Sequence, residues 1–353
     1  MTPLEEKLRR QIRLTGPVTV ADYMAQCLFD PLFGYYTSRE PFGPSGDFTT
    51  APEISQLFGE MIAAWWLSTR EIVQIPDLAL VEIGPGRGTL MNDMLRTIGK
   101  LSGKQLPDVH MVEISPRLAK MQRDTLTRHK ANITWHLSPA SLPHAPLGIV
   151  ANELFDAIPL RQFVKTTTGW FERMVRLNEQ GALAFGLGPT QLNEALLPNG
   201  YTDEPEGQIF EYAPARLAMT DKLARHLKRH GGFALFVDYG HAKSGFGDTL
   251  QAVRQHVFAN VLDYPGEADL TSHVDFESLS KNAQFHGLHA TQIIGQGEFL
   301  TGIGIKQRAQ ILKAGASASV ANDIDTGLNR LISDDEMGSL FKVLGLFSAA
   351  SDH

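Results

Sequence analysis

One cysteine, Cys27, stands among 353 residues. It cannot close an internal disulfide and gives no Cys cluster for zinc or iron–sulfur chemistry, so a reducing compartment is the natural reading. Long apolar runs are also missing. Stretches such as residues 62–67 and 233–237 fall far short of the ~20 residues that cross a bilayer, and no membrane span is expected. Lys/Arg blocks are absent, and 32 basic against 39 acidic side chains leave a net charge of −7. A nucleic-acid protein normally carries a basic footprint, so no nucleic-acid partner is expected. The opening Met1-Thr2-Pro3-Leu4-Glu5-Glu6-Lys7 has neither an apolar signal core nor an acid-free, Arg-rich character, which points to the cytoplasm. His226 and His230 lie four apart with no glutamate between them, and no metal site is expected.

What is present is an ordinary globular composition, 43% hydrophobic and 20% charged, which excludes disorder for most of the chain. Apolar spacing predicts two amphipathic helices broken at Gly16-Pro17 and a longer helix over 52–71. Residues 30–52 hold seven Gly and Pro breakers yet five aromatics, the mark of an ordered, functional loop rather than a linker. Strands are then predicted at 78–83, 109–114, 133–137 and 147–151, with helices over 89–98 and 116–129 between them. Such alternation needs crossover connections and implies a parallel, doubly wound α/β sheet. Hairpin strands over 163–165, 170–177 and 182–185 interrupt it before a helix over 216–228 and the very apolar strand 233–237. The expected organisation is an N-terminal helical segment with a cofactor-covering loop (1–72), a cofactor-binding domain (73–158 and 213–353) and an inserted substrate-side hairpin region (159–212).

The sharpest signal is Val81-Glu82-Ile83-Gly84-Pro85-Gly86-Arg87-Gly88-Thr89, a glycine turn between strand and helix. Glycine permits close backbone approach of a ligand at the carboxyl end of a parallel strand. A dinucleotide fingerprint would place a third glycine where Thr89 stands, which disfavours an oxidoreductase. Glu82, two residues before Gly84, suits the cationic amino-acid and sulfonium end of S-adenosylmethionine (SAM) better than a pyrophosphate. Glu113, ending the second strand, is placed to accept hydrogen bonds from both hydroxyls of a ribose. The plainer alternatives are a solvated strand end for Glu113 and a helix-cap or strand-end carboxylate for Glu82.

The fourth strand leads into Asn152-Glu153-Leu154-Phe155-Asp156. Glu153 and Asp156 are the candidate catalytic residues, because carboxylates hold a guanidinium bidentately and can take its proton during attack. Asn152 joins the cofactor candidates Glu82, Gly84, Gly86, Gly88 and Glu113. Asn152 and Glu153 could instead cap the following turn. Asp47 in the aromatic loop, and Asp238, Tyr239 and His241 after the strand 233–237, are substrate or lid candidates.

Taken with residues 30–36 (DPLFGYY), 46–55 (GDFTTAPEIS), 82–90 and 152–156, and with the later segments 238–241, 265–271, 273–276 and 296–300, the chain resembles the MidA family. That family comprises SAM-dependent methyltransferases, including the mitochondrial complex I assembly arginine methyltransferase. The resemblance runs over nearly the whole chain. It implies a seven-stranded, Rossmann-like methyltransferase sheet, SAM as cofactor with S-adenosylhomocysteine as product, and a protein substrate, the 49-kDa-type subunit of complex I, methylated on arginine. With no transit peptide seen, a bacterial cytoplasmic member is expected. Two other readings stay open from the residues alone: a small-molecule methyltransferase, and a non-catalytic assembly factor that retains SAM binding.

Overall fold

The computed structural model describes residues 1–38, 50–75, 77–103, 105–198 and 204–348. Asp47 and its neighbours in the aromatic loop lie outside them. The chain divides into two compact units, one formed by Met1–Phe48, Phe155–Ala218 and Lys243–His273, the other by Thr49–Leu154, Met219–Ala242 and Val274–His353.

The second unit is built on a nine-stranded sheet whose main path is β1 (Ala79–Ile83), β2 (Val109–Val112), β3 (Ile133–His136), β4 (Leu147–Asn152), β5 (Gly232–His241), β6 (Leu288–Ala290) and β7 (Phe341–Ser348), with the short strands Val274–Asp275 and Ile294–Gly295 pairing β5 and β7. Their order across the sheet is β6-β7-β5-β4-β1-β2-β3. β1 to β5 run parallel to one another, and β7 runs antiparallel between β5 and β6. Every residue of β1 and β4 is buried, as expected of parallel strands covered on both faces. The chain leaves β1 toward β2 and β3 on one side and reaches β4 and β5 on the other. The β1–β4 boundary is therefore the switch point, where crevices open beyond the carboxyl ends of the strands.

Helix ends follow local sequence. Ser115 caps helix Pro116–Leu126 by accepting from the Leu118 amide, and Pro116 fills the first helical position, where a missing N–H costs nothing. The single helix expected over 52–71 is two, Ala51–Ile54 and Gln56–Val73, because Ser55 is extended and caps the second through the Leu57 amide. Phe58, Ile62 and Trp66 of that helix, with Leu80, Val150 and Phe233 of the sheet, form the core of this unit. Strand β6 is followed by the short strand Ile294–Gly295, and both pair β7.

The first unit carries an antiparallel sheet of Val18–Thr19, Arg161–Thr166, Gly169–Leu177, Leu183–Gln191 and Ile209–Tyr212. A three-stranded sheet (Gln251–Arg254, Val257–Ala259, Asp269–Thr271) belongs to it too. Sequence reading had left residues 243–273 with the cofactor domain. They fall here because Ala252 and Leu270 bury against Leu4 and Tyr23 of the two amino-terminal helices and against Val175. Among the described residues no helix is long and apolar enough to cross a membrane.

Candidate active site

All three turn glycines, Gly84, Gly86 and Gly88, sit at positive φ (70°, 51° and 82°). This conformation costs an L side chain about 1–2 kcal/mol per residue and costs glycine nothing. A Cβ on Gly84 would lie 2.8 Å from Leu154 Cδ1, and one on Gly88 would lie 3.4 Å from Gln122. The turn thus packs directly against the segment that follows β4 and against helix Pro116–Leu126. Gly88 leads into helix Thr89–Leu101, whose first turn faces the crevice end of β1.

Glu82 is almost fully buried in β1. Burial drives its carboxyl up to about 8, opposed by a backbone hydrogen bond from Met91 and reinforced by the charge of Glu113. Its Oε2 is buried with no hydrogen-bond partner, and so is Asn152 Oδ1 at the end of neighbouring β4. Buried acceptors are seldom left unmet. Two of them at the carboxyl ends of adjacent strands suit a ligand rich in N–H donors, such as an ammonium.

Glu113, immediately beyond β2, accepts from the Ser115 amide at Oε1 (2.7 Å) and from Gln122 Nε2 at Oε2 (3.0 Å). Burial raises its pKa, and these donors, with the Ile114 amide, hold it down. A carboxylate offers about four lone-pair sites, so both oxygens keep capacity for further donors.

Glu153 departs from ordinary backbone. It is a non-glycine residue at φ 50°, a conformation that costs about 1–3 kcal/mol and persists only where the surroundings fix it. Its amide donates to Val237 O (2.9 Å), and its Oε1 accepts from the Ala51 amide and from Asn152 Nδ2, both at 3.0 Å. The next amide, Leu154, donates to Asp238 Oδ2 (3.0 Å), and Tyr239 donates to Oδ1 of the same carboxylate (2.9 Å). Glu153 thereby reaches the start of helix Ala51–Ile54. Asp238 is fully buried and braces Leu154. Tyr239 packs in the core beside Phe341. His241 ends β5, in register with Asp275.

Asp156 belongs to the first unit. Burial pushes its carboxyl up to about 6, against the pull of the Arg216 guanidinium. That buried guanidinium donates to the carbonyls of Asp156, Ile158 and His273 and to the Ser272 hydroxyl, fixing the residues around Asp156. In the same unit Tyr36 donates from its hydroxyl to the Asp269 carboxylate (3.2 Å). Two motif segments singled out in the sequence, 30–36 and 265–271, therefore meet there.

Sequence reading missed two contributors. Glu53 accepts from the Thr89 hydroxyl and pairs with Arg87 at 3.9 Å, tying helix Ala51–Ile54 to the glycine turn. Gln122 is fully buried and joins the turn to Glu113. Its signal was readable, since Leu118, Ala119 and Leu126 share its inward face and a glutamine on an apolar face needs a buried partner. Among the described residues no three His, Cys, Asp or Glu side chains are grouped to hold a metal.

Comparison with known proteins gives the family. A family model for S-adenosyl-L-methionine-dependent methyltransferases matches residues 57–294. The mitochondrial protein arginine methyltransferase NDUFAF7 of Xenopus tropicalis is 35% identical over 364 residues, covering 94% of this chain and 83% of the relative. The human protein of that name is 34% identical over 378 residues, covering 98% and 83%. A crystal structure from Burkholderia thailandensis, solved with S-adenosyl-homocysteine bound, superposes with a TM-score of 0.86 at 29% identity, covering 99% of this chain and 92% of that one. The curated relatives, the Caenorhabditis elegans homologue among them, are named as mitochondrial, which overturns the cytoplasmic placement. An acid-bearing, Arg-poor opening carries no address by itself.

Proposed function

We propose, from the premise that this chain belongs to the family of S-adenosyl-L-methionine-dependent methyltransferases, that its acceptor is an arginine guanidinium of a protein, specifically the 49-kDa-type subunit of respiratory complex I. The names of the curated relatives support arginine in a protein. The observation that carries the reading is Glu153, a carboxylate held in a left-handed backbone conformation at the end of β4, next to the glycine turn that Leu154 touches.

When bound, SAM supplies an electrophilic sulfonium methyl and departs as S-adenosylhomocysteine. The chain's own groups do the positioning. Glu82 and Asn152 would hold the ammonium through their unmet buried oxygens, the Glu113 carboxylate would hold the ribose hydroxyls, and the turn at 84–88 would let the backbone come close. Glu153 holds the plane of the guanidinium and draws off the proton lost as the nitrogen is methylated, with Asp156 as the second candidate base. Because the sulfonium is already a good leaving group, most of the rate enhancement comes from alignment.

Mass spectrometry of respiratory-complex subunits from cells with and without the protein tests the acceptor. The expected result is loss of methylation on one arginine of the 49-kDa-type subunit. An unchanged methylation pattern in every subunit would overturn that acceptor, and SAM binding without turnover would favour the assembly-factor reading.

Glu82 supplies a pH-dependent test. With its carboxyl raised to about 8, it is protonated at neutral pH in the free protein, and a cation beside it favours the carboxylate. SAM binding is then expected to release a proton and to tighten as pH rises toward about 8. The fold responds in the opposite sense. Between the ordinary carboxylate range and that value the native state keeps a proton the unfolded chain has given up, so this group's contribution to stability falls as pH rises through the window. Calorimetry in two buffers of different ionisation enthalpy measures the proton. Release of the same size from Glu82→Gln would remove Glu82 from the cation's surroundings.

A further inference from the structure

We infer that Gln122 is a positioning residue of the cofactor site, a single amide that ties the glycine turn after β1 to the carboxylate after β2. This rests on the proposed roles of that turn and of Glu113.

Gln122 Nε2 donates to Gly86 O at 2.8 Å and to Glu113 Oε2 at 3.0 Å. An amide nitrogen has two hydrogens, and both are used. The orientation of the amide is fixed from its other end, because Trp135 Nε1, which can only donate, points at Gln122 Oε1 from 3.0 Å. Rotating the amide by half a turn would set Nε2 against the indole N–H and Oε1 against a carbonyl and a carboxylate. Trp135 is held in turn by the Arg123 guanidinium, 4.7 Å from the ring centroid. The Thr125 hydroxyl, three residues along the same helix, donates to Arg87 O at 3.1 Å.

The backbone at Gly86 and the carboxylate at Glu113 thus have one separation, set by the width of an amide. Gly86 is at positive φ, with a carbonyl whose direction the backbone alone leaves free to turn, and Gln122 fixes it. The carboxylate gains a donor that favours its charged form, the form able to accept from two hydroxyls. A packing role alone would need neither a defined amide orientation nor both hydrogens.

The test titrates S-adenosylhomocysteine into the full chain by calorimetry across pH, for wild type, Gln122→Met, Glu113→Gln and the double variant. Gln122→Met keeps the volume and removes both donors. Its affinity is expected to fall about 5- to 50-fold, with the acid limb of binding moved to higher pH because Glu113 has lost a donor. Since the two residues share a contact, the double variant should be weaker than Glu113→Gln by less than Gln122→Met is weaker than wild type. If Glu113→Gln leaves affinity unchanged, the reading of Glu113 fails and the bridge with it. If Glu113→Gln weakens binding while Gln122→Met keeps wild-type affinity and pH profile, the bridge alone is overturned.

Should Gln122→Met not fold, Gln122→Glu decides the matter. A second carboxylate facing Glu113 repels it until the pair shares a proton, which restores the link to Glu113 but not the one to Gly86 O, so the deficit against wild type at the same pH should shrink as pH falls. A loss that does not recover overturns the inference, because a purely structural role predicts no such rescue.

Discussion

Glu153→Gln is expected to lower methyl transfer by about 10²-fold or more while leaving the affinity for SAM nearly unchanged. The substitution retains an oxygen that can accept from the Ala51 amide and Asn152 Nδ2, the two donors now on Oε1, so the strained turn has the means to persist. What disappears is the negative charge that pairs with a guanidinium and takes its proton. Single-turnover transfer to an arginine-containing acceptor, set beside calorimetric SAM binding, separates the two quantities. Asp156→Asn is the companion measurement, because burial leaves that carboxyl at about 6, close enough to neutrality to exchange protons. Normal rates in both amide variants would make the two carboxylates structural.

Gly86→Val should cost SAM affinity tenfold or more in a protein that still folds. Valine at φ 51° is a β-branched residue in the left-handed region, where its Cβ substituents meet the backbone. The turn can relieve that strain only by rotating the carbonyl that Gln122 holds. The cost should concentrate in the turn because the strand before it and the helix after it are anchored independently, the strand through its β2 and β4 ladders and the helix through Glu53 at Thr89. Circular dichroism establishes folding and calorimetry reads the affinity. A folded variant with wild-type affinity would detach the turn from the cofactor.

The glycine turn and the two strand-end acids were legible because their determinants are local. Glycines at a strand-to-helix turn need particular φ values, and a strand end followed by Ser-Pro announces a cap and a helix, so Glu82, Gly84–Gly88 and Glu113 could be placed from spacing alone. Contacts between distant segments could not be read that way. Nothing near Glu53 says that its carboxylate reaches Thr89, and nothing near Asp238 says that it is spent on the Leu154 and Tyr239 amides rather than displayed. The strand Phe341–Ser348 escaped for a related reason. Its apolar run is short, and it follows three helical segments, so only the ladder with β5 distinguishes it from one more turn of helix. Residues 243–273 were assigned to the wrong neighbours because their few apolar residues match either core, and strand pairing at 251–254 and 269–271 decided between them.

The position of that last strand bears on how the chain is made. β7 is the final one of the seven to leave a ribosome, yet it lies inside the sheet, between β5 and β6. Until it emerges, β5 presents an apolar edge with its backbone groups unpaired on one side, and β6 has no strand beside it. Nascent chains at this stage hold a template for pairing with one another. A holding chaperone acting late in synthesis is therefore better placed to protect this protein than one acting early, since the switch-point strands β1 to β4 can already pair among themselves.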